Sequence, residues 1–152
     1  MPSRRVLCCA ILCALLLAPL SFSAQDKPSS FTTPVASQLL AQVREGLEGR
    51  SQKKILAAFD LSQMTNGPLF RQQIAGLFNQ TESVRVHLNL VEIEAGDAGR
   101  QRVAVEAEME ADPRGNGLPV HKRARLTFIA ERSAHGWKFT GVEPRSFFSL
   151  QP

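Results

Sequence analysis

The sequence contains no tyrosine, a single tryptophan and three cysteines, and those cysteines (Cys8, Cys9 and Cys13) all fall near its start. Without tyrosine, no phenol is on hand to donate a hydrogen bond to a developing oxyanion. Cysteines confined to one short stretch exclude a disulfide scaffold and a cysteine-ligated metal site. His87, His121 and His135 are too scattered to make a local pair of metal ligands. No basic cluster is interleaved with aromatics, so nucleic-acid binding lacks support. What is present is ordinary: 152 residues, 43% apolar and 21% charged, with a net charge of +4 and a pI near 9.3. That composition excludes a long disordered chain and suffices for one domain with its own core.

The first 23 residues read as an export signal. Arg4 and Arg5 precede the apolar run from Val6 to Leu20, and small residues follow at Ser21, Ser23 and Ala24. A basic start, a short apolar centre and a small-residue exit are the marks of a secretory signal peptide. The run is shorter than the roughly 20 apolar residues of a membrane-spanning helix. Cleavage after Ser23 places Ser21 and Ser23 at the small-residue positions, whereas cleavage after Ala24 puts bulky Phe22 at one of them. Ser3-Arg4-Arg5-Val6-Leu7 also partly matches a twin-arginine signal, although the leucine-rich centre suits the general secretory route better. The expected destination is periplasmic or secreted, with no membrane attachment after cleavage. Removing residues 1–23 lowers Lys plus Arg from 18 to 16 and leaves Asp plus Glu at 14, a mature charge of +2 without any cysteine.

Residues 24–32 form a polar leader, expected to be flexible, and residues 33–152 a single domain. Thr33 can cap a helix, Pro34 suits its first turn, and Leu39, Val43 and Leu47 recur at helical spacing with Leu40 beside them. Gly46 and Gly49 weaken its end. Ser51 can cap a second short helix carrying Ile55, Leu56 and Phe59. A third begins after Asn66-Gly67-Pro68, with Leu69, Phe70, Ile74, Leu77 and Phe78 on its apolar side. The period then changes to two. Val84, Val86, Leu88 and Leu90 alternate with polar residues, and Val91 and Ile93 take the other parity, so a bulge is expected near Leu90-Val91. Val103 to Met109 and Ala124 to Phe128 make the next two strands, Trp137 and Phe139 begin a fourth, and Arg145 to Phe148 can add a short last one.

Pairing residues whose numbers sum to 231 aligns the middle hairpin. It sets Val103, Val105 and Ala107 opposite Phe128, Leu126 and Ala124, and Glu106, Glu108 and Glu110 opposite Arg125, Arg123 and His121. Apolar meets apolar and acid meets base, as cross-strand pairing favours. The charged rows then read as a solvated, salt-bridged sheet face.

Three N-terminal helices followed by a strongly bent antiparallel sheet of about four strands, ending in Gly136-Trp137-Lys138-Phe139 and a short coda at Pro144-Arg145-Ser146-Phe147-Phe148, resemble the nuclear transport factor 2-like (NTF2-like, SnoaL-like) superfamily, with its cystatin-like α+β cone. The resemblance spans roughly Thr33 to Leu150. It implies a cavity inside the cone, which in that superfamily serves isomerases, dehydratases, ligand binders and assembly domains. Its isomerases use a cavity carboxylate as base with a tyrosine or protonated acid as oxyanion donor. Here the inward strand positions carry no titratable group, which points to a non-enzymatic domain that binds an apolar small ligand or a protein, with neither metal nor cofactor. Phe59, Phe70, Met109, Lys122 and Trp137 are the candidate cavity lining. Asp60, between helices, is the one weak candidate for a catalytic base in an alternative, isomerase- or dehydratase-like reading; an aspartate there also commonly ends or caps a helix. Phe147 and Phe148 can close the core or form a homodimer seam, and the open sheet face offers a second seam.

Overall fold

The computed structural model describes residues 30–150; the expected export signal and residues 24–29 of the leader lie outside the described residues. Three helical segments, α1 (Thr33–Glu48), α2 (Gln52–Leu56) and α3 (Gly67–Gln80), precede four strands, β1 (Thr81–Ala95), β2 (Gln101–Pro113), β3 (Val120–Ser133) and β4 (Gly136–Glu143). The strands form one antiparallel sheet in the order β1-β2-β3-β4. The architecture is therefore α+β, with helices on one side of a four-stranded meander.

Each helix follows from local chemistry. Pro34 stands in the first turn of α1, where a missing N–H costs nothing. The helix buries Ala36, Leu39, Leu40, Val43 and Leu47 on one stripe. Gly46 does more than loosen its end: a Cβ there would lie 2.4 Å from the Ile55 nitrogen, so glycine is what lets α2 cross α1 closely. Ser51 caps α2, its hydroxyl accepting from the Lys54 N–H at 3.3 Å. That helix is little more than a turn and ends at Leu56, before Phe59. α3 buries Phe70, Ile74, Leu77 and Phe78, while Leu69 stays exposed on its outer side.

The bulge in β1 falls between Leu90 and Glu92, and β2 pairs with β3 with every partner summing to 231, from Gln101↔Ala130 to Ala111↔Val120. Burial follows the same parity: Val103, Val105, Ala107, Met109 and Ala111 are buried, while Glu106 and Glu108 are exposed. The ion pairs regroup on that frame. Glu108 accepts from Arg123 at 3.1 Å as aligned, whereas Glu110 takes Arg85 of β1 at 2.9 Å and Arg125 lies 4.0 Å from Glu92.

One expectation is corrected. Arg145–Phe148 is a 3-10 turn and not a fifth strand. Pro144 has no N–H to extend a ladder, and a strand would point Phe147 and Phe148 to opposite faces; the turn buries both. Both rings are thereby packed within the chain's own core. Phe31, within the expected leader, packs edge-on against Trp137 with centroids 4.9 Å apart.

Candidate functional site

The space between helices and sheet, where a cone of this kind would hold a ligand, is occupied by aromatic side chains. Phe59 lies 4.9 Å from Phe70 and 5.7 Å from Phe139, Phe128 lies 4.6 Å from Phe139, and Phe70 meets Phe148 at 5.6 Å, all between ring centroids. These rings interlock in tilted and edge-on arrangements, the favourable geometries for aromatic pairs. Phe59, Phe70 and Met109 are thus packed in the core.

Trp137 is half-buried against Phe31, and its indole N–H is buried without a hydrogen-bond partner. The Lys122 ammonium donates to the carbonyls of Ser146 (2.9 Å) and Ser149, tying the C-terminal turn to β3, and partial burial lowers its pKa. Asp60 accepts from the Ser62 N–H at 3.1 Å and from the Ser62 hydroxyl, closing a turn after α2. The Ser62 hydroxyl chiefly, against a smaller opposing effect of burial, holds the Asp60 carboxyl below the ordinary aspartate value. A general base working near neutrality has its pKa raised towards the working pH; Asp60 is moved the other way.

A groove of about 570 Å³ lies on the opposite, outward face of the sheet. Ala104, Thr127 and Gly141 floor it. Glu92 and Glu94 stand along the β1 side, Arg102 and Arg125 in the middle, and Glu131 and Glu143 towards β4. Arg100 donates to Glu131 at 2.9 Å, and Glu131 also accepts from the Thr140 hydroxyl at 3.1 Å. Arg145 closes one end, donating to the Thr65 carbonyl at 2.6 Å and so holding the α2–α3 loop against the sheet. Acids and arginines are equal in number along this lining. The alternating charges on β2 and β3 make this face legible as polar. Nothing in the sequence signals that Thr65 and Arg145, eighty positions apart, wall it.

No family model matches the sequence, and no curated protein does so either. Solved structures do match in fold. A candidate scytalone dehydratase from Novosphingobium aromaticivorans superposes with a TM-score of 0.63 at 9% identity, over 70% of this chain and 78% of that one. A candidate dehydratase of the NTF2-like family from Streptomyces avermitilis gives 0.58 at 12% identity, over 70% and 90%. The intermembrane-space region of the chloroplast protein ARC6 gives 0.54 at 12% identity, over 75% and 96%. The fold is therefore that of the nuclear transport factor 2-like superfamily. Identities this low establish the fold alone, and that fold carries many unrelated activities.

Proposed function

We propose that the chain is an exported binding domain without catalytic activity, engaging a protein partner through the mixed-charge groove on the open face of the sheet. The observation that carries this reading is the filled interior, with Phe59, Phe70, Phe128, Phe139 and Phe148 where a substrate or an apolar ligand would sit. Asp60 supports it, because its carboxyl is engaged by Ser62 in a turn and held below the ordinary aspartate value, away from the range of a base working near neutrality. The chemistry of the groove selects the kind of partner. A small ion of either sign would meet as many like charges as opposite ones, whereas a protein surface can match both in pattern. Exposed ion pairs contribute only ~0–1 kcal/mol each, so exchanging them for pairs across an interface costs little. Such patterns confer specificity more than affinity.

The test is site-specific photo-crosslinking in cells that export the protein. A photoreactive residue at Thr127, on the groove floor, is expected to capture a discrete protein other than the chain itself, and one at exposed Lys53 of α2 is not. The capture should vanish with Arg102→Glu/Arg125→Glu. Failure to capture at Thr127, or capture untouched by the charge reversal, overturns the reading.

A further inference from the structure

The two edges of the sheet are finished differently. At β4 the segment after α2 seals the edge: the Phe139 N–H donates to the Ala58 carbonyl at 2.9 Å, and the Asp60 N–H donates to the Phe139 carbonyl at 2.8 Å. At β1 the Val86 N–H points away from β2 and donates to the Glu48 carboxylate at 3.3 Å. Backbone groups alternate along an antiparallel strand. The N–H and C=O of Leu88 and Leu90 therefore also point outward. They face a groove of about 310 Å³ between β1 and α1, bordered by Ser37, Ala41 and Arg44 and floored by half-buried Leu88 and Leu90. An uncovered edge of this kind is a template for another strand.

We propose that this edge pairs antiparallel with the same edge of a second copy, about a two-fold axis at Asn89, joining two four-stranded sheets into one. Leu88 of each copy then lies opposite Leu90 of the other, and the two exchange N–H···O bonds twice by symmetry. Asn89 lies opposite itself. The bulge supplies the second half of the argument. It adds one residue between Leu90 and Glu92, which places Glu92 and Glu94 on the same face as Arg85 and His87. The pairing consequently sets His87 opposite Glu92 and Arg85 opposite Glu94 of the second copy.

Arg85 and His87 precede the midpoint of β1 and Glu92 and Glu94 follow it, so the antiparallel arrangement brings these unlike side chains together. The guanidinium of Arg85 has five donors and can hold its own Glu110 (2.9 Å) and the more distant Asp112 (4.0 Å) together with a carboxylate of the second copy. Ser37 and Ala41 are small and one helical turn apart, leaving room for the approaching copy. Glu92 and Glu94 also line the charged groove, so the joint would run two grooves into one surface. The pairing does not depend on what that groove binds.

The purified protein is expected to sediment as a dimer in concentration-dependent equilibrium. In protein prepared without residues 1–23, and so without Cys8, Cys9 and Cys13, Asn89→Cys should give a disulfide-linked dimer on mild oxidation, because directly opposed residues outside the hydrogen-bonded pairs sit ~4.5 Å apart at Cα, within disulfide reach. Arg85→Glu should weaken association by about tenfold or more, and Arg85→Glu/Glu94→Arg should restore it. Leu90→Lys, placing a charge on the edge, should abolish it with an unchanged circular dichroism spectrum. A monomer at every concentration overturns the proposal. So does a dimer indifferent to Arg85→Glu, or a loss that the charge exchange fails to restore. Should Leu90→Lys fail to fold, the charge exchange alone decides.

Discussion

Strand β2 presents two different proteins on its two sides. Its odd-numbered residues from Val103 to Ala111 are buried at 0–2% exposure beneath the helices, while Arg102, Glu106 and Glu108 of the same strand are exposed. One backbone and one set of ladder hydrogen bonds serve both. The difference lies in what each side chain displaces. On the inner face, every methylene buried removes apolar surface from water and fills a close-packed space, so losses accumulate in stability. On the outer face, the charges keep their hydration and can exchange partners, so losses there should register in recognition. The stability of the domain and its proposed activity are thus separated by the pleat of a single sheet.

The sharpest way to break that separation is in the core. Phe70 is fully buried and touches both Phe59 and Phe148, so Phe70→Ala is expected to cost about 3–5 kcal/mol, read by urea denaturation. Gly46→Ala drives a methyl into the backbone of Ile55. Overpacking of this kind costs about 1–3 kcal/mol, and thermal unfolding will show it as a lower Tm.

The acid-side behaviour of Asp60 comes next. Its folded pKa is lowered from 3.8, so the stability its turn contributes is intact above 3.8 and is lost as pH falls through the lowered folded value. Asp60→Asn should flatten that part of the stability profile, and an NMR titration of the carboxyl should find a midpoint below 3.8. A midpoint near neutrality would revive the enzymatic reading. The smallest effect belongs to the outer face: a double-mutant cycle on Glu108 and Arg123, both more than half exposed, should yield a coupling of ~0–1 kcal/mol. A much larger coupling would erase the contrast between the faces.

The hairpin alignment is legible in the sequence because two independent patterns have to agree. Apolar residues must meet across one face and opposite charges across the other, and only a sum of 231 serves both well. The bulge is legible from the parity change at Leu90-Val91 for the same reason. Side-chain partners are less so. Arg125 reaches Glu92 on β1 instead of Glu106 directly opposite it, since a long flexible arginine chooses among several carboxylates within range. The coda reads as a strand because Phe147-Phe148 has strand-like composition; only the need to bury two adjacent rings on one side makes it a turn.

Local periodicity, turn residues and cross-strand matching are properties of short stretches, and they are enough to determine the α+β order, the strand pairing and the position of the bulge. Whether the cone stays open is not a property of any stretch. It depends on whether Phe59, Phe70, Phe128, Phe139 and Phe148, drawn from five separate segments, converge on the same space, and packing in three dimensions brings them there. The same holds for the groove walled by Thr65 and Arg145 and for the edge at Leu88 and Leu90. A side chain's partners are decided by where the whole chain returns, and only the tertiary structure fixes that return.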